Sequence, residues 1–352
     1  MKPFLFFVCS IGVVGAILLF VTENHGISLV PEVFDTQEAQ KQRQQEQTAQ
    51  EQQQQEANLK TCEEIIAGSP FYRTDRLQAV KVKEQLRQQG DVETADILEA
   101  ISCVPQGIWV SAQNAEWQLA QVQEDITLAQ QQEKIPVFVI YNGPNHTDAT
   151  WRHVESGQAY EQWIRAFGNT MGNSLAWVII EPDALPLAFT YSAPEREKRL
   201  RELQAAVQIL KETSPQAKVY LDAGHGQWKS PNVIAGFLWG AGIAYADGFA
   251  LNISNHQTIE TEISYGTEIS KQTNNAHFII DVGQTGQKVQ TQEWCNAVGR
   301  ALGALPTLDT GNTSIDAFLW VKPPGESDGT CNGGPPAGKF WLDYALELIG
   351  NK

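Results

Sequence analysis

Two carboxylates, Glu181 and Asp183, close the apolar run VIIEPDAL at 178–185 on either side of Pro182. A buried strand does not keep unpaired carboxylates, because taking one out of water costs several kcal/mol unless it is paired or protonated. They are therefore strand-end caps or chemistry, and comparable residues recur at Asp222 and Asp281. Carboxylates around one cleft act as an acid/base pair, as ligands of a hard cation, or as a salt-bridge network. No dense run of Asp resembles a calcium loop and no His-x-x-x-His spacing occurs, so neither metal nor cofactor is expected. A serine nucleophile would need a G-x-S-x-G elbow, which is absent. A cysteine nucleophile is disfavoured by the pairing considered below. Carboxylate acid/base catalysis beside aromatic surfaces remains, the pattern required to cleave a glycosidic bond. One carboxyl must then stay protonated near neutral pH, and Asp183, between Pro182 and Ala184 at the mouth of a hydrophobic strand, suits that role. Glu181 reads instead as a structural partner at the strand end.

The elements that would position these groups recur with regularity. Strand candidates are GIWV at 107–110, VFVIY at 137–141, AWVII at 176–180, KVYL at 218–221, GFALNI at 248–253, HFIID at 277–281 and DAFLWV at 316–321. Amphipathic stretches lie between most of them, such as 194–213 with Leu200, Leu203, Val207 and Leu210 on one face. Strands alternating with helices imply a parallel sheet, and seven of them suggest a barrel related to the (β/α)₈ type. Their C-terminal ends run into Asn142, Glu181 and Asp183, Asp222, Ser254 and Asn255, Asp281, and Lys322. In a barrel these ends converge on the face where sites are built.

Composition narrows the partner. The chain has 352 residues and a formal net charge of −16, from 41 acidic and 25 basic side chains. That balance, without clustered Lys and Arg, argues against nucleic acid. Ten tryptophans all follow residue 100; most should fill the core, while one at a strand end or in a loop would suit the C–H face of a sugar ring. The segment from Phe4 to Val21 is almost unbroken apolar, so residues 1–22 read as an export signal, or as a membrane anchor through residues 4–21. Residues 23–57 include a Gln-rich spacer that buries too little to fold alone, and the folded domain is expected over 58–352. Export places that domain outside the cytoplasm, secreted or anchored. There Cys62, Cys103, Cys295 and Cys331 form an even set with three possible pairings; sequence locality favours Cys62 with Cys103 and Cys295 with Cys331, and four free buried thiols are the alternative.

In order and spacing, VIIEPDAL, VYLDAGHGQW, GFALNISN, FIIDVGQTG, WCNAVGRALGALPT and LWVKPPGESDGTC resemble glycoside hydrolase family 6, the inverting β-1,4-endoglucanases and cellobiohydrolases. The resemblance runs from about Ile108 to Leu348. It implies a distorted seven-stranded parallel β/α barrel, a β-glucan partner, a monomer, and cleavage with inversion and without metal. It implies Asp183 as general acid, Asp328 as the base or charge-stabilising carboxylate, and Asp222 as an active-site carboxylate that could equally be a buried network member. Trp228 and Trp294 resemble sugar platforms, His225, Asn255, Lys322 and Glu326 hydrogen-bonding residues, and Tyr141 the tyrosine beside the cleaved bond. Cys295 and Cys331 match a family disulfide.

The chain departs from the family in two places. After VFVIY the family reads Tyr, Asp or Asn, any residue, Pro, any residue, Arg, Asp, Cys, whereas this chain reads YNGPNHTDAT, with His146 and Thr147 at the Arg and Asp positions. One inserted residue would bring Asp148 into the Asp role. Gln284 stands where the family has Arg, and loss of a cation from a carboxylate-rich cleft should raise neighbouring acidic pKa values. Only residues 329–340 separate Asp328 from Trp341, so the loop there is short and the cleft should be open to internal cleavage. The competing expectations are a glucan-binding envelope protein with weakened catalysis, or the same fold acting on another β-glucan.

Overall fold

All seven apolar runs are strands in the computed structural model, which describes residues 61–112, 115–143, 157–287 and 293–351. These residues belong to one compact unit, Lys60–Lys352. Four short helices come first: α1 (Cys62–Gly68), α2 (Gln78–Gln89), α3 (Val92–Ile97) and α4 (Glu99–Ser102). The alternating part follows as β1 (Ile108–Val110), α5 (Ala115–Gln131), β2 (Val137–Ile140), α6 (Gly157–Met171), β3 (Trp177–Ile180), α7 (Ala184–Ala188), α8 (Ala193–Thr213) and β4 (Lys218–Asp222). It continues through α9 (Pro231–Gly240), β5 (Gly248–Leu251), α10 (Ile259–Gln272), β6 (His277–Asp281) and β7 (Ile315–Leu319) to α11 (Leu342–Gly350).

Each strand pairs in parallel with the next, in the order β1-β2-β3-β4-β5-β6-β7. The strands are apolar along their whole length because both faces are covered. Phe138, Ile140, Val178, Ile180, Val219 and Leu221 pack outward with helix residues such as Ile164, Phe167, Leu203 and Val207. The alternate residues Val139, Ile179, Tyr220, Ala250, Ile279 and Leu319 form a second, inner cluster with Phe71. This period of two fixes which residues at each strand end reach the upper face.

The two edges of the sheet meet without forming a continuous ladder: the Gly107 N–H donates to the Trp320 carbonyl at 2.8 Å, and Trp109 Nε1 to the Val321 carbonyl at 3.0 Å. A Cβ at Gly107 would fall on the Val321 carbonyl, so the approach requires glycine here. The disulfides are Cys62–Cys103 and Cys295–Cys331, as locality favoured. The first ties α1 to the end of α4, and the second joins two loops on the site face.

Trp163, Trp177 and Trp320 are buried in the core. Trp151 lies outside the described residues, as do residues 4–21 and the Gln-rich spacer; among the described residues no helix is long and apolar enough to cross a membrane.

Candidate active site

The VIIEPDAL turn holds two non-glycine residues in left-handed backbone, Glu181 at φ 52° and Asp183 at φ 71°. Such conformations cost about 1–2 kcal/mol each and persist where neighbours over-determine them. Glu181 is fully buried and accepts the Asn142 N–H at 3.1 Å and the Gly143 N–H at 2.8 Å, with Arg199 Nη2 of α8 at 3.5 Å. It joins the end of β3 to the end of β2, the structural role its position suggests. Arg199 is itself buried, 3.5 Å from Glu202 and over the Tyr160 ring. At Asp183 the strain is met from below, where its N–H donates to Asp222 Oδ2 at 2.8 Å.

Of the two readings of Asp222, active-site carboxylate or buried network member, its position fits the second. It is 2% exposed at the end of β4, beneath Asp183, and is absent from the cleft lining. Burial, reinforced by the nearby Asp183 charge, pushes its pKa well up. Next to it Glu262 of α10, also buried, accepts the Gly226 N–H at 2.9 Å through Oε1, and burial pushes its pKa up to about 8. Asp222 Oδ1, Glu262 Oε2 and Tyr265 Oη are buried without a hydrogen-bond partner among the described residues. A Cβ on Gly226 would lie within 3.4 Å of both Glu262 and Tyr265, so α10 clamps the loop that carries His225 and Trp228.

The second visible carboxylate is held from the other side of the barrel. Asp328 Oδ1 accepts from Lys322 Nζ at 2.5 Å and from Ser254 Oγ at 3.2 Å, and its Oδ2 accepts the Asn296 N–H at 2.9 Å. Asn296 in turn accepts the Asp328 N–H at 2.8 Å and donates to the Gly329 and Cys331 carbonyls. Because Asn296 follows Cys295, the Cys295–Cys331 disulfide fixes the loop that orients Asp328. Glu326 accepts from Gln78 Nε2 at 2.8 Å, and its burial raises its pKa.

These groups open onto one cleft of about 1030 Å³ across the C-terminal face of the sheet. Asp183, Asp328, Tyr141, His225, Trp228, Asn255, Trp294, Lys322 and Glu326 all line it. Trp294 is 61% exposed there, and Tyr141 stands edge-on to Trp109 at 5.6 Å. His225 leans on Trp228 at 5.6 Å, and burial lowers its pKa to about 4, so it presents a neutral imidazole. Asp148, Thr147 and His146 fall in 144–156, outside the described residues. Gln284 is not in the cleft lining; its Oε1 accepts from Tyr344 Oη at 3.1 Å in the interior, which removes it from the carboxylate-rich cleft where its place in the motif had put it.

Three cleft-lining residues, Gln78, Trp109 and Trp117, and one residue behind the lining, Asn296, escaped the sequence. Gln78 is separated from Glu326 by 248 residues, so no local pattern links them. Asn296 reads as a loop residue until its contacts are seen. Trp109 and Trp117, lining the β1 side, look like core filling in a strand and a helix.

The family model for glycosyl hydrolases family 6 matches residues 66–352. Endoglucanase A of Thermobispora bispora is 37% identical over 289 residues, 80% of this chain and 62% of that protein. Endoglucanase A of Cellulomonas fimi is 38% identical over 260 residues, 72% of this chain and 56% of that protein. The chain thus spans less than two thirds of the length of these relatives. Among solved structures, the endoglucanase Cel6 from Mycobacterium tuberculosis, bound to a thio-linked cellobioside derivative, has 36% sequence identity and a TM-score of 0.74, covering 81% of this chain and 98% of that one. With this match across most of its length and a parallel barrel of the same form, the chain belongs to glycosyl hydrolases family 6.

Proposed function

We propose that the chain is an endo-acting glycoside hydrolase that cleaves β-1,4-glucan with inversion. One observation carries this reading: Asp183 and Asp328 line a single open cleft together with the indoles of Trp228 and Trp294. The relatives named endoglucanases and the cellobioside-type ligand of the Mycobacterium tuberculosis structure support a β-1,4-glucan chain as the occupant. Two disulfides support a working place outside the reducing cytoplasm.

In this mechanism Asp183 is the protonated carboxyl. It gives its proton to the glycosidic oxygen as the bond to the anomeric carbon breaks, while water attacks that carbon from the opposite face and loses its proton to a carboxylate. Asp222 lies under Asp183 and accepts its backbone N–H at 2.8 Å, which holds the strained turn that aims the acid into the cleft. Asp328, paired with Lys322, faces the developing positive charge of the sugar. Asp148, one residue beyond the family position, takes the proton from water. Tyr141 presses on the ring at the cleaved bond, and His225, Asn255, Lys322 and Glu326 bind hydroxyls.

The test follows reducing ends and viscosity on carboxymethylcellulose and mixed-linkage glucan for the wild type and the Asp183→Asn, Asp183→Ala and Asp148→Ala variants. Asn tolerates left-handed backbone better than Ala, so Asp183→Asn removes the proton donor while sparing the turn. Both Asp183 variants should lose about 10²-fold or more in kcat, with Asp183→Ala also less stable by about 1 kcal/mol. Wild-type-like rates in Asp183→Asn would sink the acid role, and an unaffected Asp148→Ala would sink the shifted base. Binding of glucan without turnover by the wild type would favour the weakened-catalysis alternative.

A further inference from the structure

The cleft does not end at the groups used above. It continues past Trp109 over the N-terminal turn of α5 and the side of α2, where Trp117, Gln121 and Lys81 line it. Trp117 is 62% exposed, as open as the platform Trp294. It makes no hydrogen bond or ring contact among the described residues. Trp239 provides the contrast: also exposed, it donates Nε1 to the Gln272 carbonyl and lies outside the cleft. A large indole left open to water in a concave site is a surface awaiting a flat apolar partner.

The strand order says where that partner would lie. Trp228 follows β4 and Trp117 follows β1, while Tyr141 follows β2 and Asp183 follows β3 between them. Aromatic platforms therefore stand on both sides of Asp183 along one continuous groove. Gln121, one turn on from Trp117 and on the same helical face, lines the same end of the groove; its Nε2 donates to Glu124 Oε2 at 3.4 Å, and its amide offers its oxygen and a second N–H to sugar hydroxyls. The neighbouring cation Arg76 is already committed to Glu124 at 3.0 Å and to Asp125, so the end of the groove is polar without an unpaired guanidinium.

We propose that Trp117, with Gln121, forms an additional outer subsite that stacks one glucosyl unit of the polysaccharide, extending the bound chain beyond Trp109. This rests on the β-glucan reading of the cleft and adds to it a dependence on chain length. The test measures calorimetric Kd values for cellotriose and cellohexaose in the Asp183→Asn protein, alone and combined with Trp117→Ala or Trp117→Phe, alongside wild-type turnover. Trp117→Ala should weaken cellohexaose about tenfold, equivalent to about 1.4 kcal/mol, leave cellotriose within about twofold, and be largely restored by Trp117→Phe. An unchanged ratio of the two affinities in Trp117→Ala, whether both hold or both fall, overturns the subsite. Length-dependent binding with no wild-type turnover leaves the subsite standing and overturns the catalytic reading instead. No binding of either oligosaccharide overturns both.

Discussion

Glu262 gives the most stringent check on the buried acid network, because its effect on stability has a calculable sign and window. Its folded pKa, raised to about 8 from 4.5 by burial, means that the folded protein holds a proton which the unfolded chain has released. The resulting stability is complete below the unfolded value and is lost as pH rises through the folded one. At 1.36 kcal/mol per unit this is worth about 2 kcal/mol at pH 6.5 and under about half a kcal/mol at pH 8. His225 and His256, both lowered to about 4 by burial, work the other way, adding stability as pH rises from 4 to 6.5. Their remaining titration above pH 6.5, in the unfolded chain, is common to wild type and variant and cancels in the difference between them. Asp222, also raised, acts in the same direction as Glu262, so the mutant difference isolates Glu262. Glu262→Gln keeps the oxygen that accepts the Gly226 N–H and removes the titration. Urea unfolding at pH 6.5 and 8 should show the wild type losing roughly 1.5 kcal/mol more than Glu262→Gln across that interval. Equal losses in the two proteins would refute a protonated, buried Glu262.

Two further perturbations probe how the site is held. Arg199→Met leaves Glu181 buried without the Arg199 cation and Glu202 with only Lys198 at 3.8 Å; urea unfolding should show a loss of about 3–5 kcal/mol, with Arg199→Lys recovering part of it. Cys295→Ser with Cys331→Ser removes a link closing 36 residues. It should lower unfolding free energy by about 3–4 kcal/mol, and kcat should fall beyond that expected from stability, since the same loop orients Asn296 on Asp328; unchanged kcat at a temperature where the variant is folded would separate the loop from Asp328.

The strands were legible because parallel strands covered on both faces must be apolar throughout, and the seven runs could only be stacked as a curled sheet. The helices were legible by their periodicity: the stretch 194–213 is α8 within a residue. Less legible was which strand-end carboxylates do chemistry, and Asp281 shows why. It belongs to the same series as Asp183 and Asp222, yet its two oxygens accept backbone N–H groups from Gly283, Val321, Ser254 and Lys322, at 3.0 to 3.2 Å. Those donors come from the ends of three strands, and the carboxylate fastens β5, β6 and β7 together. No spacing rule announces this, because three of the four donors are 27 to 41 residues away and all are backbone groups that every sequence possesses. Asp328 shows the complementary pattern. Its partners include the Lys322 and Ser254 side chains, which face the cleft, so that substitution of those partners could retune it without breaking the sheet. Asp222 falls between, with one oxygen spent on the Asp183 and Gly224 N–H groups and the other left without a partner toward Glu262. What separates a staple from a chemical group is therefore whether its acceptor sites are filled by backbone, and that quantity exists only once the chain has folded.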